Sequence, residues 1–261
     1  MDCAAVLQAF NAQVRQSTRP DGTGALFEVD RPIVRRVAAP GLDGCCILWS
    51  ELDADSADQA IAVQLAYFRA LGQEVEWKLY SYDQPADLAE RLLAAGFVPA
   101  DEEALMVADV GEVALDVALP DGARLEPVTD AEGISRVIAV HQEVFGSDDP
   151  ELKASLLAQL RGAPEVMSAV LAVAGDEPIS AARIEFVPGT EFAGLWGGGT
   201  LPRWRGRGIY RALVAYRAGL AAARGYQYLQ VDASPESRPI LERIGFSQLA
   251  STTPYIWSPG T

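Results

Sequence analysis

Arg203, Arg205, Arg207 and Arg211 stand around Gly206 and Gly208 in the run RWRGRGIYR. The chain around them is acidic, with 21 basic against 36 acidic residues and a net charge of −15. Arginine offers charge-assisted hydrogen bonds to phosphate oxygens, and glycine lets a backbone approach a ligand closely. The run follows GLWGGGTLP and precedes the alanine-rich segment IYRALVAYRAGLAAARG. A strand that breaks into a glycine-rich turn and then a helix leaves backbone N–H groups unpaired at the helix N-terminus. Those donors and the helix dipole favour an anion. The chemistry these residues fit is a cradle for a pyrophosphate. Two other phosphate loops are excluded: no GxxxxGK[ST] occurs, and no GxGxxG opens a βαβ unit with an acidic residue on the next strand.

The elements that must hold this run follow from punctuation and periodicity. Pro120-Asp121-Gly122 is a turn signal between apolar runs, and it divides the chain into residues 1–118 and 119–261, each of ordinary domain size. Residues 1–115 hold 8 basic and 19 acidic groups, the remainder 13 and 17, so the front half carries most of the acidity. In the second half, 123–130 reads as a strand, and 130–145 and 149–161 have helical apolar spacing. SAVLAVAG, SAARIEFV and EFAGLWGGGT read as three strands. A helix over 208–225, a strand over 226–233, a helix over 235–245 and a strand over 246–257 complete a mixed α/β order. The halves echo each other at an offset of 149: Asp83 and Asp232 each stand 13 residues before the glycine of Gly96-Phe97 and Gly245-Phe246, and Tyr67 superposes on Tyr216. A duplicated unit is the expectation.

Thr200-Leu201-Pro202-Arg203-Trp204-Arg205-Gly206-Arg207-Gly208-Ile209-Tyr210 resembles the acetyl-CoA loop of the GNAT superfamily of N-acetyltransferases, Val-x-Pro-x-x-[Arg/Gln]-Gly-x-Gly-[Ile/Leu]-[Gly/Ala]. The family's short formula alone also fits from Arg203; the longer spacing from strand and proline selects Arg205 and leaves Tyr210 at the last small position. The resemblance spans about residues 122–258. Gly245-Phe246 fits the family's second conserved region, where Ser234 stands in place of its Asn and Ser237 in place of its Ala. The corresponding stretch of the first half, SELDADSADQA, has neither glycines nor arginine. The whole therefore resembles two tandem GNAT-like acyltransferase domains, the first lacking its cofactor loop.

That resemblance implies direct transfer from acetyl-CoA to a primary amine of a small molecule or polypeptide, in a ternary complex. It implies that strand 192–200 splays from its neighbour so that a backbone N–H near Gly198 polarises the thioester carbonyl. Thr200 would hold the pantetheine arm, and Arg205, Gly206, Arg207, Gly208, Ile209, Tyr210, Arg211 and Ser234 complete the cofactor set. The family's usual Glu base falls on Gly194 and its acidic Tyr on Leu241, so both roles need substitutes. Glu191 and Glu185 are candidate bases, Tyr255 and Tyr210 candidate proton donors. His141, the one histidine, sits among apolar residues and reads as a packing residue; Trp196 reads equally as pocket floor or core.

Bulk properties limit the alternatives. Net acidity opposes a nucleic-acid or anionic-membrane partner, which needs basic surface. No apolar run is long enough to span a membrane, and residues 1–16 read as an amphipathic helix rather than a leader. Cys3, Cys45 and Cys46 are odd in number and lack metal-ligand spacing, with Cys45-Cys46 reading as buried hydrophobes. A cytoplasmic enzyme is the expectation. A homodimer is left open, as are two rivals: a non-catalytic acyl-CoA-binding or regulatory module, and an acidic interaction protein.

Overall fold

The computed structural model describes residues 1–17, 19–42, 44–146 and 149–260. α1 (Cys3–Phe10) starts at Asp2, whose carboxylate accepts from the Ala4 and Ala5 amides, and runs on into a π-helical turn over Asn11–Arg15. There follow β1 (Leu26–Asp30), β2 (Ile33–Val37), β3 (Cys46–Ser50), α2 (Ala57–Leu71), β4 (Val75–Tyr80), α3 (Leu88–Ala94), the two-residue β5 (Val98–Pro99) and β6 (Glu103–Asp109). The second half has β7 (Ala123–Val128), α4 (Ala131–Phe145), α5 (Pro150–Gly162), β8 (Met167–Ala174), β9 (Glu177–Phe186), β10 (Phe192–Thr200), α6 (Ile209–Ala223), β11 (Tyr228–Ala233), α7 (Arg238–Arg243) and β12 (Ser247–Trp257). The strands and helices expected over 123–257 are present in the expected order.

Local chemistry sets the helix ends. Asp130 caps α4 by accepting from the Gly133 amide at 2.8 Å, and Gly146 closes the helix in the left-handed region. Asp149 caps α5 on the Leu152 amide, with Pro150 in the first turn where a missing N–H costs nothing. α4 buries Ile134, Val137, Ile138 and Val140, a three-and-four spacing that makes one apolar stripe.

All strands join one mixed sheet, in the order β1-β2-β3-β4-β12-β6-β11-β10-β9-β8-β7, with β5 against β12. One face carries α2 and α3 over a core built on Trp77, Phe68 and Leu92, and α6 and α7 over a core built on Met106, Val214 and Leu229. The opposite face carries α1 near Tyr80, Leu105 and Phe192, and α4 and α5 over Met167, Leu171 and Val173.

The halves exchange their last strands. β6 leaves the first half to pair with β11, from Ala104↔Ala233 to Asp109↔Tyr228. β12 leaves the second half to pair with β4, from Thr252↔Tyr80 to Trp257↔Val75. β6 and β12 also pair with each other at the centre. Tyr255 and Trp257 are consequently packed into the core of the first half.

The repeat is clearest where each half turns out of its last helix. Phe97 N–H bonds Leu92 carbonyl at 3.0 Å and Phe246 N–H bonds Leu241 carbonyl at 3.1 Å, while Gly96 and Gly245 both take positive φ. The two aspartates are less alike. Asp83 lies in the turn beyond β4, whereas Asp232 lies inside β11.

Candidate functional site

β10 and β11 run parallel and pair only through Phe192↔Tyr228, Ala193↔Leu229 and Gly194↔Gln230. Beyond Gly194 the strands part. On its other side β10 stays paired to β9, with a register shift between Trp196 and Gly199. The stretch Leu195–Thr200 therefore presents one edge of backbone groups to an open gap, as the sequence reading expected. A strand edge left unpaired inside a sheet is a place for a ligand's amide groups.

The chain leaves that edge through a short 3-10 turn over Pro202–Trp204 and enters α6 at Gly208. Gly206 and Gly208 have φ of 74° and 83°, conformations that favour glycine. No side chain caps α6, so the first-turn amides of Ile209, Tyr210 and Arg211 are available to an anion. Ile209 itself is buried, and only its backbone can serve. The arginines divide by task. Arg203 is held by Glu143 and Glu177 and faces away from anion duty. Arg205 donates from Nε to the Thr200 carbonyl at 3.0 Å and fixes the turn. Arg207 stacks over Trp204 at 4.7 Å, and both Arg207 and Arg211 are exposed. Thr200 hydrogen-bonds through its hydroxyl to Ser180 at 2.8 Å, tying the end of β10 to β9. Ser234 receives the Ser237 amide and shapes the entry to α7.

Under the opened edge the half-buried Tyr210 meets a buried Arg217, a residue that carries no signal in the sequence. A Cβ on Gly198 would stand 3.1 Å from Tyr210 Cε2 and 3.6 Å from Arg217 Nη2. The bare backbone at Gly198 is what makes room for the bulky Tyr210 at the motif's small position. Arg217 is 1% exposed and donates to the Leu213 and Arg183 carbonyls, each at 3.0 Å. Burial, with Arg183 adding repulsion, pulls its pKa down to about 10, while Tyr210 acts the other way. Burial also raises the Tyr210 phenol against the influence of Arg217 and Ser237. Arg217 pins β9 next to the irregular stretch of β10 and so holds the gap's far wall.

The candidate acid and base residues fall in different places. Glu191 precedes β10 at the end remote from the loop, roughly 30 Å from Thr200 at strand rise. It is exposed and accepts from Gln13 Nε2 at 2.6 Å. Tyr255 is carried away by the strand exchange and pairs with Trp77 in the first half. Neither side chain reaches the opened gap, because strand length removes one and strand exchange the other. Glu185 pairs with Arg183 at 2.9 Å. His141 packs on Phe145 at 4.5 Å, and burial with Arg183 lowers its pKa. Leu241 is fully buried, with no proton to give. At Gly194 a Cβ would lie 2.6 Å from Trp196 Nε1 and 2.7 Å from Gln230 Nε2, so indole and amide fill the space a side chain there would need. Cys45 is buried, and Cys46 has a thiol pKa pushed up by burial.

Residues 134–246 match the model of the Acetyltransferase (GNAT) family. That match spans less than half of the chain. No curated protein matches the chain in sequence. Among solved structures, the chain is similar to a GCN5-related N-acetyltransferase from Kribbella flavida, at 19% identity and a TM-score of 0.71, covering 100% of this chain and 96% of that one. It is also similar to a tandem GNAT protein from the clavulanic acid biosynthesis pathway, at 13% identity and a TM-score of 0.60 over 99% and 94% of the two chains. A functionally unknown conserved protein from Staphylococcus epidermidis ATCC 12228 matches at 12% identity and a TM-score of 0.66, over 90% and 95%. At these identities the likeness is one of fold, and the fold runs through both halves: a tandem GNAT architecture.

Beside the opened strands lies a charged group drawn from both halves. Lys78 of β4 bonds Asp232 of β11 at 2.7 Å, and Glu103 of β6 lies 3.8 Å from Lys78. Trp196 sits between two cations, its ring 6.0 Å from Lys78 Nζ and 6.0 Å from Arg183. Burial opposes the Lys78 ammonium, but Asp232, Tyr80, Glu76 and Glu103 outweigh it and hold its pKa well above the ordinary value. Asp232 was visible in the sequence as a member of the repeat. Lys78 and Glu103 carried no signal, because only the strand exchange brings them to this site. Among the described residues no helix is long and apolar enough to cross a membrane, and no His, Cys, Asp and Glu group could hold a metal.

Proposed function

We propose that this protein is an acetyl-CoA-dependent N-acetyltransferase that acts on a primary amine of a small molecule or polypeptide, with donor and acceptor bound together. The observation that carries this reading is the opened β10 edge ending in the uncapped glycine turn of α6. When bound, acetyl-CoA supplies an activated acetyl group on a thiolate leaving group of pKa about 8.5. The amides of Ile209, Tyr210 and Arg211, with the Arg207 and Arg211 side chains, suit its pyrophosphate; the edge from Gly198 to Thr200 suits the pantetheine arm. The Gly198 N–H is the donor aimed at charge developing on the carbonyl oxygen. Gly206 and Gly208 shape the loop, Arg205 braces it, and Ser234 lines the gap from β11.

Residues 119–261 form the catalytic unit in this reading and residues 1–118 the degenerate one, each completed by the other's last strand. A cytoplasmic location and the lack of nucleic-acid or membrane partners agree with the net charge of −15. A homodimer through the first half is compatible with the same roles. The second reading, a non-catalytic acyl-CoA-binding module, is favoured by Gly194 and Leu241 at the family's base and acid positions. Calorimetry with acetyl-CoA, followed by acceptor-dependent thiol release over polyamines, aminoglycosides, amino acids and peptide N-termini, separates them. Absence of acetyl-CoA binding removes both readings; binding without turnover over that panel leaves only the second.

A further inference from the structure

Three carboxylates and one ammonium converge at the middle of the sheet, on the face that carries α1 and α4. Lys78 bridges Asp232 and Glu103, and Glu76 stands two residues before Lys78 on the same strand face. Two buried acceptors there have no partner: Asp232 Oδ1 and the Oε1 of Gln230, a residue only 5% exposed. Gln230 and Asp232 alternate on one face of β11, so both point into the same space. Unpaired buried acceptors are costly and call for a donor. An ammonium group offers three N–H donors and a charge that three carboxylates against one lysine favour.

The register also sets the height of this group. Ala233 pairs with Ala104, so Glu103 stands beside Ser234. Extending Gly194↔Gln230 along the gap, and allowing for the extra residue of β10 between Trp196 and Gly199, puts Ser234 level with Gly199, next to Gly198. Glu103 is thus two strand spacings, about 10 Å plus the splay, from the Gly198 backbone. A glutamate side chain and the acceptor's own amine span that distance.

We propose that Glu103, carried on the exchanged strand of the first half, is the general base of the GNAT domain, and that the acceptor is a cationic amine held by Asp232, Gln230 and Glu103. This rests on the acetyl-transfer reading above. The acceptor ammonium gives one proton to the Glu103 carboxylate and keeps the electron pair on nitrogen. Nitrogen then bonds the acyl carbon as the C–S bond breaks, the second proton leaves with the thiolate, and Glu103 returns its proton to solvent. Burial pushes the Glu103 pKa up to about 7, Asp232 and Glu76 push the same way, and Lys78 opposes them. That value suits a base working near neutrality. The other ionisable groups around the space are Tyr80 on β4, Arg183 and Glu185 on β9, and His141 on α4, which is the rival base.

The test uses the full chain. In a carbon-13 carboxyl titration, a glutamate signal missing from Glu103→Gln should titrate near pH 7 and move down when 1,4-diaminobutane is added. With the most active amine of the acceptor panel, Glu103→Gln should lose the rise in kcat/KM near pH 7 and fall about 10²–10⁴-fold, with acetyl-CoA affinity unchanged. His141→Asn should leave both as in the parent. A Glu103 signal indifferent to the diamine, a retained limb in Glu103→Gln, or its loss in His141→Asn overturns the proposal. Failure of the parent protein to bind acetyl-CoA would instead remove the transfer reading, while the diamine titration still reports on the cation site by itself.

Discussion

The two halves use the same strand-to-helix turn for opposite purposes. Between β10 and α6 the turn is bare: glycines in the left-handed region, no side-chain cap, arginines at the rim. Between β3 and α2, Asp53 places its own carboxylate on the amides of Ser56 at 2.8 Å and Asp55 at 3.1 Å. One half leaves its first-turn amides without a side-chain cap; the other satisfies them from within. The groove between α2 and α3 is lined by Asp58, Asp87 and Glu90, and Arg91 clamps the first two together. A pyrophosphate would meet its own sign of charge there. In the proposed reading, charge as well as missing glycines separates the first half from the second.

The comparison breaks most sharply at Gly208. Gly208→Trp puts a β-carbon at φ 83° and a large ring over the first-turn amides. Acetyl-CoA binding should weaken at least about 100-fold, or ~2.7 kcal/mol, the scale of one or two lost charge-assisted bonds. Calorimetry measures this, and an unchanged melting transition shows that the fold survives. Unaltered affinity would remove the cradle.

A second contrast separates the two aspartates that the repeat aligns. Asp83 grips Arg15 with both oxygens at 2.8 Å, and the two side chains are 2% and 3% exposed. Arg15 also lies over the Tyr80 ring at 4.1 Å. Asp83→Ala should cost about 3–5 kcal/mol in denaturant unfolding, since it strands a buried guanidinium. Asp232 shares one oxygen with Lys78 and leaves the other unpaired. Asp232→Asn should cost less stability than Asp83→Ala and more turnover. If the two substitutions behave alike, the structural and functional roles assigned to them are not distinct.

Arg217→Met sharpens the role of the wall beside the gap. It orphans the Arg183 carbonyl, a loss of about 1–3 kcal/mol, partly offset because a buried charge with no carboxylate partner also disappears. Its signature should be weaker acetyl-CoA binding out of proportion to that stability loss. The pH dependence of folding gives a smaller effect of fixed sign. Glu103 has a folded pKa of about 7, above the ordinary carboxylate value near 4.5. The native state therefore binds more protons than the unfolded state between those values, and stability falls as pH rises through that window. Melting temperatures of Glu103→Gln should lack that decline.

Much of this was legible in the chain. Alternation and turn residues placed nearly every element of 123–257; the Pro202 spacing picks Arg205 over Arg203, and the structure has Arg205 on the Thr200 carbonyl and Arg203 held by Glu143 and Glu177. What stayed hidden is non-local. Nothing in SQLASTTPYIW says that Tyr255 will pack against the first half, and nothing in DEEALMVAD says that Glu103 will stand beside Ser234. Strand exchange is a property of pairing between distant segments, and hydrophobic period carries no information about which sheet receives a strand. Arg217 was invisible for a related reason: on an alanine-rich helix an arginine reads as solvated, and only the Arg183 carbonyl of β9, brought beside α6 by the sheet, gives it a buried partner.

The smallest effect tests whether the first half is closed by one residue or by many. Asp53 is fully exposed, and its carboxylate pKa is lowered by the Ser56 hydroxyl and amide and by the Asp55 amide. Asp53→Ala frees those amides and should lower the melting temperature only slightly, since water replaces the lost cap. It should leave acetyl-CoA binding at one site per chain, because Asp58, Asp87 and Glu90 still line the neighbouring groove and no arginine stands at the turn. Adding Asp58→Arg and Asp87→Ser removes two of those carboxylates and releases Arg91. If a second binding event appears in calorimetry only in the triple variant, the barrier is the field of the groove. If Asp53→Ala alone produces it, a single carboxylate was enough to separate the two halves.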